Sequence, residues 1–134
     1  MRLLRTMNWI INYAWAIIWA VIMMILLLLP PDDLPSGNFF EGFDKLVHTG
    51  SFYLLTTLVL FGRVIDTKRR ATKWRTFTIA FITATVFAFG TEGAQMYFTN
   101  NRQADWWDIF ADYVGIGMSL FSYLLLYNRR AKYD

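Results

Sequence analysis

Nine polar residues stand where an otherwise apolar chain has least reason to hold them: Asp44, Lys45, His48, Glu92, Gln95, Arg102, Asp105, Asp108 and Asp112. Asp44 and His48 are spaced i, i+4 and share one helix face, one turn apart, with Phe52 continuing the stripe and Lys45 alongside. Glu92 and Gln95, at i, i+3, share another face, and Gly90 and Gly93 beside them would allow a close approach by another helix. Asp105, Asp108 and Asp112 fall at i, i+3, i+7 as one acidic stripe, with Gly115 near it leaving room for a neighbour. An imidazole among carboxylates is equipment for proton transfer, because a buried carboxyl and a histidine exchange protons near neutral pH. Lys45 and Arg102 suit an anionic headgroup or phosphate, Arg through its bidentate fork. Asp105 also suits a helix N-cap, and ion pairs with Arg102 or Lys45 are the structural role open to Asp108 and Asp112.

Other chemistries are excluded or weakened by what is missing. The chain has no cysteine, so disulfides, thiolate metal sites and a cysteine nucleophile are out. It has no serine in a nucleophile elbow and no glycine-rich phosphate loop. One histidine with several carboxylates is a donor set for zinc or a harder divalent cation. The lone histidine and the offsetting Lys45 and Arg102 argue against it, and no metal or cofactor is expected.

The elements that must carry these residues are read from apolar runs. Of 134 residues, 56% are apolar, 19% aromatic and only 17% charged, an unusual balance for a soluble domain. Trp9 to Leu29 is uncharged, long enough for a hydrocarbon core of roughly 30 Å, and ends in Pro30-Pro31-Asp32-Asp33 without a cleavage site. It reads as a retained first span and uncleaved signal anchor behind Arg2 and Arg5. Three further runs follow, and strand alternation is absent. The expectation is an all-α, single-domain integral membrane bundle over 1–134, with four transmembrane helices at about 9–29, 44–64, 76–98 and 106–127. Short links favour up-down neighbours, the first loop marked by Pro35-Ser36-Gly37-Asn38.

Charge gives the bundle a direction. Eleven of the thirteen Lys and Arg flank one side; Lys45 and Arg102 are the other two and share their side with Asp32, Asp33, Glu41, Asp44, Glu92, Asp105, Asp108 and Asp112. By the positive-inside rule both termini are cytoplasmic, and Trp9, Trp74, Trp106, Trp107, Tyr97 and Tyr127 sit at the boundaries as interfacial belts do. The basic face reads as topology and attraction to anionic lipid; no nucleic-acid module is present. All nine polar residues then lie toward the outer leaflet. Ionisable groups at membrane depth cost roughly 2.5–3.5 kcal/mol each on insertion scales, which marks such residues as paired or functional.

In its ordered motifs the chain resembles the VanZ-like family of small bacterial membrane proteins. The resemblance rests on Asp44-Lys45-x-x-His48 with Phe52-Tyr53, on Glu92-x-x-Gln95, and on Arg102-x-x-Asp105-x-x-Asp108-x-x-x-Asp112-x-x-Gly115, over roughly residues 44–117. The family usually has Asn where this chain has Asp112, and an Asp there adds an ionisable group. The resemblance implies a bacterial cytoplasmic-membrane protein with a role in the envelope and in susceptibility to glycopeptides such as teicoplanin; it implies no reaction. A phosphotransbutyrylase label attached to some members has no support in these residues. Binding of a lipid-linked or headgroup ligand, for example a lipid-linked cell-wall intermediate, is the leading expectation. An acid–base enzyme using His48, Glu92 and Asp108 on such a lipid, and a small proton-coupled lipid transporter, stay open beside it.

Overall fold

A computed structural model describes residues 2–28, 43–68, 70–98 and 106–131. These form helices α1 (Arg2–Asn12), α2 (Ala14–Leu28), α3 (Phe43–Asp66), α4 (Lys73–Phe98) and α5 (Trp106–Ala131), with no strand among the described residues. Residues 29–42 and 99–105, which hold both acidic connections, lie outside the described residues, as does the side chain of Tyr127.

The expected first helix, 9–29, is instead two pieces. α1 and α2 meet at Tyr13 with a bend of 60°. In the uncharged run only Asn12 marks the place, because the groups that seat the break lie on another helix. A Cβ at Gly62 of α3 would sit 2.7 Å from Tyr13 Cδ1 and 3.0 Å from Asn12 O, so the missing side chain lets the break seat directly on α3. Asn12 Nδ2 then donates to Asp66 Oδ1 at 3.2 Å. The Tyr13 hydroxyl faces the Arg63 guanidinium.

α3 is the central helix. It packs most extensively on α5 and also contacts α4, α2 and α1. Its buried row, His48, Phe52, Leu55, Thr56 and Val59, has the spacing of one helical face. α5 answers with Asp112, Ile116, Ser119 and Leu120, and α4 with Ala80, Ala84 and Ala88, whose small side chains let it close on Phe52 through Phe87 (ring centroids 6.0 Å apart). Several hydroxyls inside the helices return to their own i−4 carbonyls, as Thr56 does to Phe52 O at 2.7 Å and Thr57 to Tyr53 O at 2.8 Å, while Thr85 Oγ1 is buried without a partner among the described residues.

The outside of the bundle is apolar. Ile17, Ile18, Val21, Ile22 and Ile25 of α2, Ile82, Val86 and Phe89 of α4, and Phe110, Met118 and Phe121 of α5 are all exposed, an inversion of the soluble pattern. Two helices, α4 and α5, are long and apolar enough to cross a membrane, and a third crossing is added if the bent α1–α2 pair counts as one span. α3, at 24 residues, has the length for a crossing, about 36 Å at 1.5 Å per residue. Its composition is more polar, with Asp44, Lys45 and His48 at one end and Arg63 and Asp66 at the other. These polar groups sit at the two ends of α3, while Leu46, Val47, Leu54 and Phe61 between and beside them are exposed and apolar.

Candidate functional site

α3 and α5 run parallel, and a row of polar contacts joins them: Lys45 with Asp108, His48 with Asp112, Thr49 Oγ1 donating to Ala111 O at 3.1 Å, and Thr57 with Ser119 at 2.8 Å. Gly115 makes the approach possible. A Cβ there would collide with the Thr49 carbonyl oxygen and lie 2.9 Å from Tyr53 N. Gly115 therefore fills the role its spacing predicts. Gly90 and Gly93 do not. Among the described residues nothing lies within 4 Å of a Cβ built on either, so neither glycine brings a described helix close.

The upper end of that row is the candidate site. His48 Nδ1 is 2.8 Å from Asp112 Oδ1, with both side chains buried. On the other edge of the ring, His48 Nε2 is 3.8 Å from Asp108 Oδ2, within ion-pair reach of a protonated imidazole but too far for a hydrogen bond. Asp108 uses its other oxygen, Oδ1, to take Lys45 Nζ. Lys45 also pairs with Asp44 Oδ2 at 3.2 Å, and Asp44 itself is exposed. The order of groups is thus Asp44, Lys45, Asp108, His48, Asp112, running from the surface into the bundle.

Asp112 is the innermost member and the least satisfied. Its Oδ2 is buried without a hydrogen-bond partner among the described residues. A carboxylate offers about four acceptor sites, and a buried one left partly unused is costly. Glu92, buried on α4 at the end of the row Ala84, Ala88, Glu92, acts electrostatically on both His48 and Asp112. When Asp112 is ionised, Nδ1–H donates to Oδ1; when the proton moves across, the carboxyl donates to Nδ1. Either way the pair shares a proton.

Not every sequence-predicted residue joins this group. Gln95 is buried, but its Nε2 donates to Leu27 O at 3.0 Å, meeting a last-turn carbonyl of α2 that has no partner within its own helix. That bond ties α4 to α2. Arg102 and Asp105 lie outside the described residues, so the expected N-cap on α5 and the expected ion pairs of Arg102 do too. Lys45, expected as an anion clamp, is engaged with two carboxylates.

Sequence reasoning missed Thr49, whose hydroxyl reaches across to α5, and Trp19, whose Nε1 donates to Ser51 O at 3.0 Å. A tryptophan in mid-span was a usable signal, because its N–H needs a partner where water is absent. Among the described residues, no three His, Asp or Glu side chains converge to hold a metal ion. Comparison with protein-family models, with curated proteins and with solved structures finds nothing that matches this chain.

Proposed function

We propose that this chain is a VanZ-like multi-pass protein of the bacterial cytoplasmic membrane, with four spans and both termini cytoplasmic. Its polar site then opens to the outer side and binds the polar portion of a lipid or lipid-linked molecule. The observation that carries the reading is the buried Asp112 Oδ2, an acceptor without a partner among the described residues, set beside His48 and Glu92 in an otherwise apolar bundle. Four carboxylates, Asp44, Glu92, Asp108 and Asp112, face Lys45 and His48, so the described part of the site favours a group that donates hydrogen bonds, a hydroxyl, amide or ammonium, over a bare phosphate. The eleven-to-two distribution of Lys and Arg supports the orientation. An effect on glycopeptide susceptibility follows from ligand capture at the outer face.

Native mass spectrometry of the protein released from membranes in mild detergent tests this reading. Wild type should retain a lipid or lipid-linked adduct that Asp112→Leu loses; identical adducts in both would refute it. Single cysteines at Ser36 and Thr72, in a chain with none of its own, test the frame in intact cells. An impermeant maleimide should label position 36 only, and labelling of 72 alone would reverse the orientation.

A second reading is acid–base chemistry on the bound lipid, or a proton relay coupled to its movement. The specific observation in its favour is that His48 faces Asp112 on one ring nitrogen and Asp108 on the other. His48→Gln and Glu92→Gln in stably folded protein separate it from binding alone. Retention of the glycopeptide phenotype in both variants removes proton transfer through those side chains.

A further inference from the structure

The far end of the bundle carries a second device. α1 is amphipathic, with Trp9 the one large apolar side chain outside its apolar stripe. Leu3, Leu4, Met7, Ile10 and Ile11 occupy one stripe, while Arg5, Asn8 and Asn12 lie on the opposite side. The polar side is accounted for: Arg5, Asn8 and Asn12 line a cleft of about 550 Å³ with Ile65, Asp66 and Lys68 at the end of α3. The apolar stripe has no cover among the described residues. Leu3 is 78% exposed, Leu4 65% and Ile11 66%.

The direction of α1 is fixed by protein contacts. The seat of Tyr13 and Asn12 on Gly62, with the Asn12–Asp66 hydrogen bond, holds the 60° bend against α3. When α2 stands upright in a membrane, an axis bent that far runs closer to the membrane plane than to its normal. Arg2, Arg5, Lys68, Arg70, Lys73 and Arg75 ring the same end of the bundle, where α3 ends and α4 begins. An apolar stripe at that depth, flanked by this much positive charge, matches one occupant, a leaflet containing anionic lipid.

We propose that α1 is an in-plane anchor. It lays its Leu3, Leu4, Met7, Ile10 and Ile11 stripe into the headgroup–acyl boundary of an anionic leaflet and holds α2 upright through the Tyr13 seat on α3. The first crossing then begins at Ala14, with α1 outside it, and α2 supplies 15 residues or about 22 Å of it, less than α4 or α5. Only the identity of the leaflet, cytoplasmic, rests on the orientation proposed above.

The test uses the full chain in phosphatidylcholine vesicles with and without phosphatidylglycerol, carrying single cysteines at Leu4, Arg5, Met7, Asn8 and Ile11 in turn, each spin-labelled. Labels at 4, 7 and 11 should collide with dissolved oxygen far more than with a water-soluble nickel chelate, with depth changing by no more than about 0.75 Å per residue, half the helical rise, as a 60° bend from an upright α2 requires. Labels at 5 and 8 should show the reverse. A depth that increases steadily from 4 to 11, by about 1.5 Å per residue, would make α1 part of a span and overturn the proposal. Shielding of 4, 7 and 11 from both reagents would place a protein partner on the stripe and overturn it as well. The anionic component is read separately. Phosphatidylglycerol should deepen the labels, and Arg2→Gln with Arg5→Gln should reverse that deepening; depths indifferent to both would overturn the anionic preference. A nickel chelate confined to one side of the vesicle, compared with labelling at Ser36, reports orientation without touching the in-plane result.

Discussion

His48 and Asp112, from α3 and α5, meet at 2.8 Å in the closed interior of the bundle, and each is the other's main polar partner. Both side chains are buried, so removing one leaves the other without its main partner. His48→Leu or Asp112→Leu alone should cost about 1–3 kcal/mol, the range for a buried polar group left without its partner. The double variant should cost less than the sum of the two, because no group is then stranded. Unfolding in mixed micelles titrated with SDS measures all three. Strict additivity would mean that the two side chains do not depend on each other.

Gly115 and Gly117 lie two residues apart on α5 and face opposite conditions. A Cβ at 115 strikes the Thr49 carbonyl, backbone that cannot swing away, whereas nothing lies within 4 Å of one at 117. Gly115→Ala should force α3 and α5 apart, lower stability by about 1–3 kcal/mol as overpacking does, and weaken lipid retention together with it. Gly117→Ala should be neutral or raise stability by up to about 1 kcal/mol through helix propensity. Gly90→Ala and Gly93→Ala, also in open space, should behave like Gly117→Ala. Loss of stability in these two would restore the close helix approach that their spacing first suggested.

The contrast between these glycines shows where sequence is informative. Apolar runs reveal an all-helical chain with helices long and apolar enough to cross a membrane, and i, i+3, i+4 spacing finds the faces that carry His48, Glu92 and Asp112. Both signals are local. Which helix a face meets is a tertiary property. Asp44 shares a helix face with His48, yet the partner of His48 is Asp112, 64 residues away. Small residues are equally ambiguous. Gly115 admits a helix backbone, Gly90 and Gly93 face outward, and Gly62, which no spacing singles out, seats the break at Tyr13. That break leaves only one mark in the uncharged run, the polar Asn12 beside it, because the groups that seat it lie on α3.

Gln95 gives a prediction that separates scaffold from site. Its amide satisfies the Leu27 carbonyl near the end of α2. Gln95→Leu should therefore destabilise by about 0.5–1.5 kcal/mol, the net worth of one such hydrogen bond. Lipid adducts should be retained once the protein is folded. Adduct loss in protein with an unchanged unfolding transition would transfer Gln95 from the scaffold to the ligand.

Lys45 sets the charge of the site more than its stability. The Lys45–Asp108 pair is partly open, with side chains 32% and 17% exposed, and pairs near a surface contribute about 0–1 kcal/mol. Lys45→Met should thus leave the unfolding transition nearly unchanged. It also leaves Asp108 facing His48 without its cation and makes the cluster more negative by one charge. A ligand held through donated hydrogen bonds should then be retained or strengthened, while an anionic one is repelled. In vesicles of mixed phosphatidylethanolamine and phosphatidylglycerol, the ratio of the two lipids carried through purification should rise in Lys45→Met, since ammonium groups donate to carboxylates and the glycerol headgroup carries an uncompensated phosphate. A fall in that ratio would show Lys45 acting as an anion clamp despite its two carboxylate partners, and would transfer the ligand's contact from Asp112 to Lys45.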